Sequence, residues 1–370
     1  MVDLIIKNGR DVLGNPLEIS IKDGKIVKLA ERIEDESKDV LNLTQGDIIS
    51  AGWIDAHVHC YEKMTLYYDS PDEIGVSCGV TSVIDAGSTG ESNIQDFYEI
   101  TRDAKTNVYA LLNISTQGIV KQDELADLRK VDNVKNLERI QALPDFIVGI
   151  KARMSRTVVG KNNTIPLVMA KELQKQCDHL PLMVHVGSAP PKLEDVLEIL
   201  DKGDVVTHCY NGKDNGILDH DGSIKPFCWD AYRKGIYFDV GHGTDSFSQD
   251  VAKHAFDEGF ICKTVSTDIY SRNRINGPVY NMATTLSKMI SLGFTLSDLI
   301  DKVTLNPAKI FKLKDKGSLT VGYDADITIF KMTQEVQDVV DSNNKHFTIN
   351  DIIKPRYAIV QGNIYAIKEH

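Results

Sequence analysis

Six side chains in this sequence could bind metal ions, and each lies at the end of a short apolar run of the kind that forms a buried strand. They are His57, His59, Lys151, His185, His208 and Asp268. Imidazole nitrogens and carboxylate oxygens are common ligands of zinc and of other divalent metals. Because metal ions lower the pKa of bound water, this set of residue types indicates hydrolytic chemistry.

The spacing of these residues supports a shared site. His57 and His59 are separated by one residue, so on an extended strand both rings face the same side and could bind one metal. The alternative for each histidine is a structural role, since imidazole also satisfies buried hydrogen bonds. That alternative is harder to meet for His185 and His208 at the ends of apolar strands. Asp268 is a carboxylate in a site that requires a nearby cation or proton.

Lys151 ends the apolar run 146–150, where an ammonium group beside two metal ions would be disfavoured. Burial and neighbouring cations lower the pKa of a lysine, and the neutral amine could add CO2 to form an anionic carbamate that bridges both metals. The alternative is a lysine at the rim of the site with its charged end in solvent.

The elements that must position these residues form a repeating pattern. From Trp53 to about Phe311, strand-like runs alternate with helix-length segments, which is typical of βα units around a parallel sheet. This span is close to the ~250 residues of a (β/α)8 TIM barrel, where functional groups lie at the carboxyl ends of the strands. We therefore predict such a barrel over residues 53–311. Its eight strands are predicted at 53–60, 81–87, 108–115, 146–153, 181–187, 204–210, 237–243 and 264–270.

The two ends of the chain show a different pattern. Short alternating runs are separated by hairpin-type dipeptides, Asn8-Gly9, Asp23-Gly24 and Gly362-Asn363. Neither end has enough strands to be stable alone. We therefore predict that residues 1–52 and 312–370 pair in one small composite β-sandwich domain.

Composition limits the partners and the compartment. The 370 residues carry a net charge of −11 without a basic cluster, so no nucleic-acid partner is expected. No signal-like or membrane-spanning apolar run is present, so no membrane association is expected. The six cysteines have no disulfide-like spacing, which predicts a cytoplasmic protein. Cys60 could reach a metal beside His59, but strand alternation directs it away.

These residues resemble the motifs of a known family. Residues 52–59 (GWIDAHVH) are similar to the first-strand motif of the amidohydrolase superfamily, in particular of its subgroup with two metals bridged by a carboxylated lysine. This subgroup includes dihydroorotase-like and deacetylase-type enzymes. Lys151, His185, His208 and Asp268 resemble its remaining ligands, and residues 306–308 (NPA), 317–319 (GSL) and 325–327 (ADI) resemble its passage back into the small β-domain. The resemblance covers nearly the whole chain.

The resemblance implies two divalent metal ions, with Zn2+ as the first candidate, and a CO2-derived carbamate on Lys151. It implies that a metal-bridging hydroxide attacks an amide or ester carbonyl of a small anionic acylated substrate, as in a deacetylase, while Asp268 transfers the proton. It also implies a homo-oligomer.

Other functions remain open. A purine deaminase of the adenine deaminase type and a phosphotriester hydrolase would use the same ligands. A dihydroorotase-like cyclic amidohydrolase is less favoured, because residues 60–63 (CYEK) lack the arginine that follows the His-x-His pair in that type. A non-catalytic scaffold is disfavoured because all six ligands are present.

Several residues on the predicted strand-end loops could contact a substrate. An arginine there could pair with an anionic group through two parallel hydrogen bonds, or it could be a solvated loop residue. His242 lies between two glycines, where a flexible backbone could approach a ligand. The candidate contacts are Arg153, Arg156, Tyr210, Asn211, His242, Arg272 and Arg274.

Overall fold

A computed structural model describes residues 1–178 and 180–368. The strands are β1 Val2–Arg10, β2 Pro16–Lys22, β3 Lys25–Ala30, β4 Ser37–Asn42, β5 Ile48–Ala51, β6 Trp53–Val58, β7 Val80–Ala86, β8 Asn107–Asn113, β9 Ile147–Met154, β10 Leu182–Val186, β11 Val205–Thr207, β12 Tyr237–Asp239, β13 Ile327–Val340, β14 His346–Val360 and β15 Asn363–Ala366. The helices are α1 Pro71–Ile74, α2 Ile94–Thr101, α3 Asn133–Ala142, α4 Arg156–Val159, α5 Ile165–Gln176, α6 Leu193–Ile199, α7 Pro226–Lys234, α8 Gln249–Glu258, α9 Ser271–Asn276, α10 Met282–Leu292, α11 Leu296–Lys302 and α12 Leu305–Ile310. Among these residues, no helix has both the length and the apolar character that a bilayer span needs.

Strands β6 to β12 form a curled parallel sheet in chain order. These seven strands coincide with seven of the predicted ones, but β11 and β12 are only three residues long. The reason is the backbone that follows them, because His208 (φ 69°) and Gly241 (φ 48°) adopt left-handed conformations that leave the sheet.

The eighth predicted strand, 264–270, is not a regular strand, which corrects the sequence-based prediction. Asp268 has φ 50°, which interrupts an extended backbone. The segment makes isolated parallel bridges at its two ends, Thr264 with Asp239 of β12 and Ile269 with Val58 of β6. It therefore contacts both edge strands of the parallel sheet, while the closed eight-stranded barrel stays a prediction.

Apolar side chains cover both faces of the parallel sheet, as expected for strands with a period of two. Ile54, Leu111 and Met183 pack on one face with Phe311, just after α12. The alternate residues pack on the other face in the large cluster that includes the surrounding helices. Helix ends follow local signals, since α8 begins after Ser248, which caps Val251 N, and ends at a left-handed Gly259.

The remaining strands form a mixed sheet in the order β15-β14-β13-β5-β1-β2-β3, with β4 paired to β1. Strands from both chain ends meet where β5 pairs antiparallel with β13, with Ile49 opposite Ile329. Buried Ile6, Ile19 and Ile359 belong to the core of this sheet. The predicted β-sandwich and the division into two domains stay predictions.

The longest feature of the mixed sheet is the hairpin of β13 and β14, whose strands have 14 and 15 residues. Its turn, residues 341–345, extends to the loop that follows β12. There Ser342 N donates a hydrogen bond to Phe247 O (2.9 Å), and Gln249 N donates to Asp341 Oδ2 (3.0 Å). The hairpin thus connects the mixed sheet to the carboxyl end of the parallel sheet.

Candidate metal centre

A cavity of ≈ 370 Å³ lies at the carboxyl ends of the parallel strands. All six side chains predicted as metal ligands lie on its wall. Parallel strands end at the same edge of a sheet, so residues far apart in sequence converge there. His57 lies in β6, Lys151 in β9 and His185 in β10, while His208 directly follows β11.

The ligand atoms lie close together. Asp268 Oδ1 is 3.1 Å from His59 Nε2 and 3.5 Å from His57 Nε2. Lys151 Nζ is 3.2 Å from His57 Nε2. One donor atom each from His57, His208 and Asp268 fall within 4.8 Å of one another, a spacing that could hold a metal ion. The ring centroid of His185 is 4.5 Å from that of His208.

Hydroxyl groups behind His57 and His59 determine where their protons lie. His57 Nδ1 is 2.9 Å from Thr207 Oγ1, which itself donates to Asp239 Oδ2 (2.7 Å). His59 Nδ1 is 2.8 Å from Ser88 Oγ, which donates to Asp85 Oδ2 (2.8 Å). Each hydroxyl has one proton and gives it to a carboxylate, so it accepts the proton on Nδ1. The lone pair of Nε2 on both rings therefore faces the cavity.

His208 has the same orientation. Its Nδ1 is 2.7 Å from the carbonyl oxygen of Gly241, which can only accept a hydrogen bond. Nδ1 thus carries the proton, and Nε2 is left as a donor to a metal. A hydrogen bond to the far nitrogen is the usual way in which proteins orient metal-binding histidines.

The pKa values of the cavity residues favour the deprotonated forms that bind a metal. Burial lowers the pKa of His57 and of His185 well below the ordinary value, and it lowers the pKa of His208 to about 4. Burial also lowers the pKa of Lys151 to about 7. Neutral imidazoles and a lysine that can lose its proton near neutral pH are the forms that metal binding requires.

Asp268 is the anionic member of the group. Burial raises the pKa of its carboxyl, but interactions with the neighbouring His59, His208 and Lys151 lower it by more, so the pKa lies below its ordinary value. Asp268 Oδ1 lies 3.1 Å from Nε2 of His59, and the contacts of Ser88 leave a lone pair on that nitrogen. Only a positive charge between them, a metal ion or a second proton on His59, makes this contact favourable. The residues present fit a divalent metal.

The supporting residues Ser88, Thr207, Asp85 and Asp239 were not predicted from the sequence. A signal was available, because both aspartates lie at the ends of apolar strands and are fully buried. A buried carboxylate needs hydrogen-bond donors, and here hydroxyl groups supply them. Their partners across neighbouring strands depend on strand register.

Two of the predicted substrate contacts lie on the cavity wall. Arg153 is buried, and its Nη1 donates to Glu124 Oε1 (3.2 Å). Arg156 donates from Nε to the carbonyl oxygen of Ala189 (2.6 Å). Lys213, which was not predicted, also lies on the wall. The cavity therefore combines a ligand cluster with three cationic side chains.

Three other predicted contacts are not on this wall, and their role as substrate contacts stays a prediction. The hydroxyl of Tyr210 donates to Phe260 O (3.0 Å), and Asn211 Nδ2 donates to His208 O (2.8 Å). His242 Nε2 is bonded to Lys288 Nζ (2.9 Å). All three residues are buried, and they follow the left-handed backbone at His208 or Gly241.

The last two predicted contacts are also outside the wall. Arg274 pairs with Asp69 (2.7 Å), and Arg272 is exposed. Both belong to α9, the helix that follows Asp268 in the chain. Cys60 is absent from the wall as well and packs in the apolar core, where burial raises the pKa of its thiol well above the ordinary value.

Aromatic residues on loops complete the wall. The rings of Tyr67 and Tyr270 are 4.9 Å apart, and Tyr67 is 5.6 Å from His59. The hydroxyl of Tyr270 is 2.8 Å from Thr244 Oγ1. Loop residues have no periodic pattern, so the sequence contained no signal for their position.

Comparisons with known proteins agree with this geometry. The sequence profile of the amidohydrolase family matches residues 48–365. A deacetylase from Enterococcus faecalis (strain ATCC 700802 / V583) is 54% identical over 364 residues, which is 98% of this chain and 99% of that protein. A crystal structure of an adenine deaminase has 54% identity and a TM-score of 0.98, covering 99% of this chain and 100% of that chain. A crystal structure of a dihydroorotase has 32% identity and a TM-score of 0.91, covering 100% and 98%.

Proposed function

Because this chain belongs to the amidohydrolase family, we propose that it is a metal-dependent hydrolase that removes an acyl group from a small anionic amide or ester. It is a hydrolase of carbon–nitrogen bonds. The observation that carries the proposal is the contact of Asp268 Oδ1 with His59 Nε2 at 3.1 Å, while Ser88 holds the proton of that ring on Nδ1. Deacylation is preferred to adenine deamination because cationic side chains share the wall with these ligands.

The six predicted ligands would hold two divalent metals, with Zn2+ as the first candidate. When bound, such metals supply a Lewis acid and lower the pKa of water, so that a nucleophile exists near neutral pH. Lys151 would join them as a carbamate, formed when its neutral amine nitrogen attacks CO2 and releases one proton. The pKa of about 7 that burial gives this lysine supports the step.

Asp268 would transfer the proton during hydrolysis. Its lowered pKa keeps the carboxylate ionised at neutral pH, so an oxygen of this group can accept the proton of the attacking water. The same oxygen would return the proton to the departing nitrogen or oxygen. The backbone holds this carboxylate in place, because Asp268 N donates to His57 O (2.7 Å).

The cationic side chains on the wall would bind the anionic group of the substrate. Arg156 and Lys213 lie on the same wall as the ligands, and a guanidinium can bind a carboxylate through two hydrogen bonds. Arg153 would contribute less, because Glu124 pairs with it. N-acetylated amino acids and acylated hydroxy acids have the required chemistry.

Adenine deamination is the second candidate, since the adenine deaminase structure is 54% identical to this chain. The ligands would serve both reactions, but adenine is neutral and offers no anionic group to Arg156 or Lys213. A dihydroorotase-like reaction has an anionic substrate, yet residues 60–63 lack the arginine expected for it.

The same proposal includes the finer architecture. We propose a closed (β/α)8 barrel over residues 53–311, supported by the bridges of segment 264–270 to β6 and β12. Residues 1–52 and 312–370 would form the small β-domain, supported by the pairing of β5 with β13. A cytoplasmic location and a homo-oligomer stay predictions.

The first experiment is elemental analysis of the purified protein, paired with a screen of N-acetyl and N-formyl amino acids, acyl hydroxy acids, dihydroorotate and adenine. We expect about two divalent metals per chain and release of the acyl group. Protein treated with a chelator is the control, and added Zn2+ should restore its activity. If the protein releases ammonia from adenine and no acyl group from the other compounds, deamination replaces the proposed deacylation. If the protein takes up no divalent metal, deacylation and deamination are both overturned.

A further inference from the structure

The segment Gly241-His242-Gly243 touches two of the proposed metal ligands. The carbonyl oxygen of Gly241 accepts the proton of His208 Nδ1 (2.7 Å). Gly243 lies so close to the Asp268 carboxylate that a Cβ atom there would collide with Oδ2. Both glycines have positive φ, 48° and 56°. The position of this segment therefore sets the ring orientation of His208 and the space around Asp268.

A buried lysine holds the segment from its outer side. Lys288 of α10 is fully buried, and its Nζ lies 2.9 Å from His242 Nε2, 2.7 Å from Pro278 O and 2.8 Å from Val340 O. An ammonium group has three donors, and these are its three acceptors. The ring of His242 also stacks on Phe247, with centroids 4.5 Å apart.

The hairpin turn holds the segment from a second direction. The hydroxyl of Ser342 lies 2.9 Å from Gly243 O and 3.3 Å from His242 O. It also accepts a hydrogen bond from Phe247 N (3.1 Å). Val340, which binds Lys288, is the last residue of β13, so both contacts come from the same hairpin.

Inside the protein, the segment is bound to the stretch that carries Asp268. His242 N donates to Ser266 O (3.1 Å), and Gly243 N donates to Thr267 O (2.9 Å). The hairpin and Lys288 on one side and residues 266–267 on the other thus hold the segment between them. Burying an ammonium group is costly, and an apolar side chain would fill this position in the core at lower cost.

We propose that Lys288 and Ser342 are positioning residues of the hydrolytic site, which keep residues 241–243 where His208 and Asp268 need them. The hairpin of the mixed sheet is then a working part of the site on the parallel sheet. The inference rests on the proposed function only in so far as it names hydrolysis as the reaction of the site.

The first test replaces Lys288 with methionine, which keeps the length of the side chain and removes its three donors. We expect kcat to fall on the order of 10²-fold with little change in KM, because the displaced groups act on the reacting atoms. We expect the affinity for zinc to fall about 10- to 100-fold, as for other residues that orient metal ligands. The control is Lys302→Met, since Lys302 is also buried but lies over Phe294.

The second test is milder and covers the case that Lys288→Met does not fold. Ser342→Ala removes one hydroxyl, and we expect kcat to fall about 2- to 10-fold. Ser92→Ala is its control, because Ser92 also donates to a backbone carbonyl, that of Thr116. Thermal unfolding of all four variants shows whether a loss of activity follows a loss of stability.

Amide hydrogen exchange of residues 241–243 measures the positioning directly and needs no substrate. We expect faster exchange in Lys288→Met and Ser342→Ala than in their controls. Unchanged exchange, or faster exchange with unchanged kcat and zinc affinity, would overturn the inference. If the wild-type protein hydrolyses none of the screened compounds, the proposed function fails, while exchange and zinc affinity still decide this inference.

Discussion

The two ends of the parallel sheet both have a cavity lined by charged residues, and the larger cavity is not the one with the predicted metal ligands. The cavity at the carboxyl ends of the strands measures ≈ 370 Å³, and the cavity near the amino ends of β10 to β12 measures ≈ 460 Å³. In the second cavity, Lys171 pairs with Asp204 (2.5 Å) and with Asp201 (3.1 Å). Gln174 donates a further hydrogen bond to Asp204 (2.7 Å).

The difference lies in how the buried polar groups are satisfied. At the amino end, a buried carboxylate has a lysine and an amide as partners, so the protein itself balances the charge. At the carboxyl end, Asp268 faces the Nε2 atoms of His57 and His59, whose protons lie on the opposite ring nitrogen. A catalytic metal site is recognised by buried lone pairs and carboxylates that lack a cation from the protein. The volume of a cavity does not distinguish such a site from other cavities.

The largest effect that would test this comparison is expected for Asp268→Asn. The amide cannot accept the proton of the attacking water, so kcat should fall on the order of 10⁴-fold. Steady-state kinetics on a substrate found in the screen would measure it. Asp204→Asn at the other end is the matched variant and should leave kcat unchanged. An equal loss of kcat in both variants would remove the functional distinction between the two ends.

At the amino end of the sheet, a substitution should lower the free energy of unfolding and leave kcat unchanged. Lys171→Met leaves Asp204 buried without its cation, and the free energy of unfolding should fall by about 3–5 kcal/mol with kcat unchanged. Urea unfolding measures this loss. Lys28→Met, which breaks the exposed pair with Asp35, is the control and should cost less than about 1 kcal/mol. A loss for Lys171→Met as small as that of the control would contradict the structural role of this pair.

A third test uses pH on the metal-free protein. Burial lowers the pKa of His208 from 6.5 to about 4, so between these values the unfolded chain binds a proton that the folded chain does not. Stability is therefore lost as the pH falls through this window, and His208 alone accounts for roughly 3 kcal/mol. His208→Asn should flatten the dependence of unfolding free energy on pH. His220→Gln, at an exposed histidine, should not, and equal slopes in both variants would refute the assignment.

The smallest effect sharpens the description of the carboxyl end. Arg156→Met removes a cation from the wall, so KM for an anionic substrate should rise about tenfold with kcat nearly unchanged. Arg272→Met is the control, because Arg272 is exposed and outside the wall. Kinetics with a charged substrate and its neutral amide would show the difference. An equal effect on both substrates would mean that Arg156 does not bind the anionic group.

All six predicted ligands lie on the cavity wall, whereas only two of the predicted substrate contacts do, and the reason is local geometry. His57 and His59 were found because an alternating strand keeps both rings on one side, and the structure places both on the cavity wall. Tyr210 and His242 are not on the wall, and the prediction had extended β11 and β12 to include them. The left-handed backbone at His208 and Gly241 ends these strands early. The residue type at position 208 does not predict a left-handed conformation.

The missing eighth strand has a similar cause. The run before Asp268 is apolar enough for a strand, and its ends do bridge to β6 and β12. The positive φ of Asp268 and the hydrogen bond from its N to His57 O interrupt the regular pattern. That conformation depends on β6, which lies far away in sequence.

By itself, the sequence determined which residue types meet at the carboxyl edge of the parallel sheet, because strand periodicity and βα order bring successive strand ends together. Only the tertiary structure decided which nitrogen of His57, His59 and His208 faces the cavity. That choice depends on Ser88, Thr207 and Gly241, which come from other strands and loops. Hydrogen bonds between distant segments form only once strand register and loop paths exist, so no local pattern contains them.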